Sequence, residues 1–178
     1  MLNLELFIDE ETDTVSKVKV DMGEPILEGN NIPVNINKNK ILNEKISVDR
    51  EEFSFTSVSI GNPHCIIFVD KIKDDHIFRI GPKIETHHLF PKKVNVEFIE
   101  LISDNELNMR VWERGSGETL ACGTGASAVC VASALIGNTK RKVLIHLLGG
   151  DLELEWAVDN HVYKTGPAKI SFEGEVEI

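Results

Sequence analysis

Glu113-Arg-Gly-Ser-Gly-Glu-Thr-Leu-Ala-Cys-Gly-Thr-Gly-Ala126 runs without a break into Ser127-Ala-Val-Cys-Val-Ala-Ser-Ala-Leu-Ile136. The second stretch is apolar almost all round at helical spacing. A helix predicted over Gly125–Leu135 therefore has no polar stripe to turn to solvent and belongs at the centre of a curled sheet. Its small residues Ala126, Ser127, Ala128, Ala132, Ser133 and Ala134 let strands approach it closely. The first stretch sits at the mouth of that helix. Gly123, Thr124 and Gly125 allow a tight turn and leave N–H groups without intrahelical partners. Such a helix start is an anion site, where a carboxylate can lie on the N–H groups of Gly123 and Thr124. The same partial positive charge favours the thiolate of Cys122 over the thiol. Helix-start chemistry alone admits a reactive Cys122 and a buried inert one equally. Cys130 lies inside the apolar helix, with no glycine turn and no charged neighbour, and reads as core packing.

Outward from this helix the chain reads mostly as strands. Leu2–Ile8 and Ser16–Val20 alternate around the acidic turn Asp9–Asp13 and suggest a hairpin. Asp21–Asn39 is rich in Gly, Pro and Asn and reads as a connector suited to linking two domains. Strands are predicted at Phe53–Ile60, Cys65–Val69, Val94–Ile102, Asn105–Trp112, Arg141–Leu147, Asp151–Ala157, His161–Lys164 and Ala168–Glu173. A second helix is predicted near Ile77–Glu85, where Ile80 and Ile84 share a face. The fold class is α+β, with mostly antiparallel strands curled around a central apolar helix.

Composition restricts the partners. A formal net charge of -10 over 178 residues argues against a broad basic field for nucleic acid or an anionic membrane. The length suits one well-packed core, or one full domain with part of another. Three cysteines without disulfide-framework spacing point to a reducing compartment. Met1–Ile8 carries an acidic residue and is followed by Asp9, Glu10 and Glu11, unlike an export signal. Ala126–Ile136 is too short to span a bilayer. These features lead to the expectation of a cytoplasmic protein. His87-His88 lacks acidic or cysteine ligands at suitable spacing and reads as loop, so no metal is expected. No phosphate loop or dinucleotide fingerprint is present, and a pyridoxal lysine is left open by the sequence.

Glu113-Arg114, the run Glu118-Thr-Leu-Ala-Cys-Gly-Thr-Gly-Ala126, Gly61-Asn-Pro-His-Cys65, Asn95-Val-Glu-Phe98, Gly149-Gly-Asp-Leu152 and Val162-Tyr-Lys-Thr-Gly-Pro-Ala168 together resemble the C-terminal half of the diaminopimelate epimerase family. The resemblance covers nearly the whole chain, in the family's order. It implies a fold of two similar domains, each wrapping strands around a central helix, with the substrate in the cleft between them. It further implies a cofactor-independent epimerase interconverting LL- and meso-diaminopimelate, on the route to lysine and bacterial cell wall. In that family one thiolate removes the α-proton from one face while a second cysteine, as thiol, protonates the other. Cys122 matches one member of the pair. His64 and Glu113 match polar residues beside the thiols. Asn62 and Asn95 match residues that bond the distal end of the substrate, and Arg114 matches the arginine that pairs with its distal carboxylate.

Apart from the resemblance, each residue has a plainer reading. Asn62 before Pro63 is a common turn arrangement. Glu113-Arg114 suits a solvated surface pair, and Asn95 suits a strand edge facing solvent. The family's N-terminal half, with a Cys-Gly-Asn-Gly type motif and the partner cysteine, has no counterpart in these 178 residues, and neither Cys65 nor Cys130 sits in such a motif. The expectation is a C-terminal domain over 23–167, with 1–22 and 168–178 as strands of the other domain. On its own such a chain does not complete a two-base epimerisation, and it calls for a complementing N-terminal half or a homodimer. The alternatives are a non-catalytic half that binds a small amino acid or regulates a partner, and a proline-racemase-like or phenazine-biosynthesis-like isomerase.

Overall fold

The computed structural model describes residues 3–170 and 172–177. Met1 and Leu2 of the predicted opening segment, and Ser171 and Ile178 of the closing one, lie outside the described residues. In chain order the strands are β1 (Leu4–Asp9), β2 (Thr14–Asp21), β3 (Glu44–Val48), β4 (Glu51–Ser59), β5 (Pro63–Phe68), β6 (Asn95–Ser103), β7 (Glu106–Glu113), the short β8 (Gly117–Glu118), β9 (Lys142–Leu147), β10 (Gly150–Trp156) and β11 (Val162–Pro167). The helices are α1 (Gly81–Glu85), which continues a π-helical turn at His76–Ile80, and α2 (Gly123–Leu135). The single helix expected near Ile77–Glu85 is thus two helical turns of different winding.

The strands form one sheet in the order β1-β2-β11-β10-β9-β7-β6-β5-β4-β3, and β8 pairs with β7 beside this path. Among the described residues the pairing is antiparallel except for β5 with β6 and β7 with β9, which are parallel. Alternation along each strand divides the apolar residues between two clusters on opposite faces. Ile66, Ile99, Leu107, Met109 and Val111 join Ala126, Ala128, Val129 and Val131 of α2. Cys65, Ile67, Val96 and Phe98 join Ile77, Ile80 and Ile84 on the other face. The central strands are covered on both faces, and Asn95–Ile99 is buried without interruption.

Helix α2 is buried from Gly125 to Ser133, as its all-round apolar sequence requires. Strands from both limbs of the sheet touch it, β4, β5 and β6 on one side and β9, β10 and β11 on the other. The segment after β2 closes the curl. Met22 N–H donates to Val162 O at 2.9 Å, and Val162 N–H donates to Gly23 O at 2.9 Å. Three residues on, Ile26 N–H donates to Ser59 O at 2.9 Å and Ser59 N–H returns to Ile26 O at 3.1 Å. The predicted connector therefore ties the β11 limb to the β4 limb across the helix.

Two features of the sheet depart from the sequence reading. No strand forms over Ala168–Ile170 or Phe172–Glu173. Pro167 ends β11, and after Ala168 N–H donates to Ser16 O at 3.0 Å no neighbouring strand continues the ladder among the described residues. Strand β3, which pairs with β4 and buries Ile46 and Val48, was not foreseen, since Lys45 and Ser47 dilute its short alternating pattern. At the opposite edge β1 carries exposed Leu4, Leu6, Phe7 and Ile8.

His146 on β9 clamps its two neighbours. Its Nδ1 faces Asp151 on β10 and its Nε2 faces Glu106 on β7, each at 2.8 Å. Hydrogen bonding to Glu106, then to Asp151, raises its pKa above the ordinary 6.5. The folded state binds this proton more tightly than the unfolded chain, so the stabilisation is full below 6.5 and is lost as pH rises through the raised value. Urea melts should show stability falling across that window, and His146→Gln should flatten the fall. Packing around α2 is tested by overfilling: Ala128→Leu should cost about 1–3 kcal/mol in urea melts, and Ala134→Leu, at a half-buried position, clearly less.

Candidate active site

The start of α2 meets three strand ends. β5 and β6 run parallel with His64 opposite Asn95, and β7 returns with Trp112 opposite Val96. The first residues of β5 and β6 and the last of β7 therefore share one edge. Ile66, Ile99 and Val111 face α2, so the period-2 rule turns His64, Glu97 and Glu113 to the same face. Cys122, in extended conformation, is the N-cap of α2, and its Sγ accepts the Gly125 N–H at 3.4 Å. Ala126 N–H is taken by Cys122 O at 2.9 Å. The N–H groups of Gly123 and Thr124 have no intrahelical acceptor. The Lys164 ammonium from β11 stands beside Gly123, since a Cβ on Gly123 would lie 2.5 Å from its Nζ.

A hydrogen-bonded chain runs from the sheet to the thiol. Glu97 Oε1 and His64 Nδ1 are 2.6 Å apart, with both side chains fully buried. His64 Nε2 faces Asn62 Oδ1 at 3.1 Å, and Asn62 Nδ2 donates to Thr124 Oγ1 at 3.3 Å. Thr124 Oγ1 is 3.6 Å from Cys122 Sγ. Gly125 makes this close assembly feasible. A Cβ there would sit 2.7 Å from Glu97 Oε1, 3.0 Å from Met109 Cε and 3.2 Å from Cys122 Sγ.

Asn95, Glu113 and Arg114 occupy the flank. Asn95 is buried, not solvent-facing: its Nδ2 donates to Pro63 O at 3.0 Å and its Oδ1 accepts the Arg114 N–H at 2.9 Å. Glu113 accepts a hydrogen bond from the Thr119 hydroxyl. The exposed Arg114 guanidinium donates to Lys92 O at 3.1 Å. Glu85 of α1 fixes the turn that carries Glu113 and Arg114. It accepts Trp112 Nε1–H at 2.8 Å and Gly115 N–H at 3.1 Å. Against the cost of burial, those bonds and Lys93 hold its carboxyl below the usual range.

The structure thus gathers Asn62, His64, Cys122, Gly123 and Thr124 into one cluster, with Glu113 near enough for its charge to act on the thiol. Asn95 and Arg114 are joined to each other beside it. Cys65 faces the opposite side of the sheet, and Cys130 lies about 12 Å along the helix from Cys122. Sequence reasoning assigned no role to Glu97, Glu85 or Lys164. For Glu97 a signal was present, a lone acid in the apolar run Val94–Ile99.

The expectation of a favoured Cys122 thiolate is overturned. Burial first, then the negative charge of Glu97, pushes the thiol from 9.0 up to about 11, and Glu113 adds to the rise. The bonds from Thr124 and Gly125 N–H oppose this and are outweighed. Cys130 is pushed up by burial to about 12. At neutral pH Cys122 is a thiol held at a helix start.

The fold of strands curled round a buried helix is shared with solved epimerase structures. A crystal structure of a hydroxyproline epimerase from Agrobacterium vitis superimposes with a TM-score of 0.63 at 16% identity, covering 93% of this chain and 53% of that one. The family profile described as Diaminopimelate epimerase matches residues 56–171. The diaminopimelate epimerase of Methanococcus maripaludis strain C6 is 54% identical over 169 residues, 94% of this chain and 61% of the relative. That of Desulfitobacterium hafniense is 56% identical over 162 residues, 91% and 57% respectively. This chain belongs to the diaminopimelate epimerase family, and it spans about 60% of the length of the curated relatives it matches.

The protonation state is open to a direct check. In a pH titration by NMR the Cys122 Cβ signal should stay at the thiol position through pH 9; a thiolate signal near pH 7 would contradict the burial argument.

Proposed function

We propose that this chain supplies one half of a cofactor-independent epimerase that interconverts LL- and meso-diaminopimelate by proton transfer between two thiols. The observation that carries the reading is Cys122 capping α2 beside the unspent N–H groups of Gly123 and Thr124, in a chain of this family. A substrate carboxylate on those N–H groups, in the field of the helix start and of Lys164, brings its α-carbon next to Cys122 Sγ. Negative charge developing at the α-carbon is stabilised by the same field. Cys122 exchanges the proton on one face. His64 and Glu113 set its protonation, Asn62 and Asn95 shape the cleft, and Arg114 at the exposed flank holds a distal carboxylate in bidentate fashion.

The second thiol comes from a complementing N-terminal half, since Cys65 and Cys130 are both buried in the core of this chain. On this reading 23–167 is the domain built on α2, while 1–22 and 168–178 belong with the domain that bears the partner cysteine. The exposed apolar side chains of β1 at the edge of the sheet suit pairing with a further strand. Among the described residues no helix is long and apolar enough to cross a membrane, and we place the protein in the cytoplasm, where its three thiols stay reduced.

Deuterium exchange at the α-carbon of LL-diaminopimelate in deuterated water tests the proposal. Exchange should be negligible with the chain alone. It should appear on adding an N-terminal segment of a relative that carries the Cys-Gly-Asn-Gly type motif, and vanish again with Cys122→Ala. Exchange that persists in Cys122→Ala would refute the role of this thiol.

A further inference from the structure

Glu97 is the one described residue with a buried side-chain oxygen, Oε2, that has no hydrogen-bond partner. A bare carboxylate oxygen in an apolar layer is costly and calls for a compensating role. Its other oxygen is 2.6 Å from His64 Nδ1 and lies, with Cys122 Sγ, against the one face of Gly125 that has no side chain. We propose that Glu97 is a positioning residue of this site: its buried carboxylate orients His64 and keeps the proton on Cys122, so that this half of the cleft presents a proton donor.

The hydrogen-bond directions show how Glu97 orients His64. Asn62 Nδ2 donates to Thr124, so its Oδ1 accepts from His64 Nε2–H. His64 Nδ1 then faces Glu97 with one further proton held between them. The Thr124 hydroxyl, already accepting from Asn62, is free to donate to Cys122 Sγ. Every donor in the chain points from the Glu97–His64 pair toward the sulfur, and the pair sets the direction of all of them; the last of these bonds, from Thr124, by itself favours the thiolate and is outweighed by burial and the Glu97 charge. The charged groups acting on the sulfur are Glu97 from β6 and Glu113 from β7; His64 from β5 reaches it through Asn62 and Thr124, and Lys164 from β11 stands beside the neighbouring Gly123. Cys65, on the far face of β5, also feels Glu97. Burial and the Glu97 charge act in the same direction on Cys122.

The place of this device in catalysis rests on the epimerase reading. A partner base takes the α-proton and becomes protonated, leaving the electron pair on the α-carbon. Cys122 then gives its S–H proton to the opposite face of that carbon and is left as thiolate. The reverse reaction returns both protons. The device itself requires no substrate, so it is tested separately from activity.

In Glu97→Gln, which keeps the size and a hydrogen-bonding group, the Cys122 Cβ titration should move down by about one pH unit, a roughly tenfold gain in thiolate at a given pH. Glu97→Asp should retain most of the wild-type position. An unmoved titration in a folded Glu97→Gln protein would reduce Glu97 to a packing partner of His64 and overturn the proposal. Should that variant not fold, the unaltered protein gives a second reading. The 2.6 Å Glu97–His64 contact should give a strongly deshielded His64 Nδ1 proton in the NMR spectrum, and its absence would overturn the proposal. Absence of deuterium exchange in the complementation experiment, with the Cys122 shift present, would count against the epimerase reading alone.

Discussion

A helix buried on every side constrains everything around it. The small side chains Ala126, Ala128 and Ala132 leave α2 little bulk of its own, so strands must approach it closely. A flat sheet can cover only one side. Here the sheet curls, and Met22–Ile26 ties its two limbs together. The mouth of the helix is then fixed where β5 and β6 begin and β7 ends, and that edge gathers His64, Glu97 and Glu113.

At that mouth two opposing effects meet on one sulfur. The helix start favours a thiolate by about 0.3–2 kcal/mol. The rise of Cys122 from 9.0 to about 11 corresponds to about 3 kcal/mol in the other direction. Burial and the neighbouring carboxylates therefore win, although the helix start still donates the Gly125 N–H to the sulfur. Polar side chains from elsewhere in the chain hold the surroundings: Glu85 and Asn95 clasp the Trp112–Gly115 turn, and Glu97 backs His64. A turn with φ of +79° at Gly115 and +82° at Gly117 tolerates this tight anchoring because glycine occupies both positions.

The sequence by itself determined the central helix, most strands around it, and the α+β class, because all-round apolarity and period-2 alternation are local patterns. It also determined that Cys122 stands at a helix start and which motif residues accompany it. Boundaries were less legible: α2 begins at Gly123 with Cys122 as cap, and β3 and the gap after Pro167 depend on which strands are available to pair. Only the tertiary structure decided that Asn95 is a buried clasp, that Glu97 and Lys164 stand at the helix mouth, and that Cys122 keeps its proton. Those outcomes depend on desolvation and on charges brought together from strands far apart in the chain, and neither is written in local spacing.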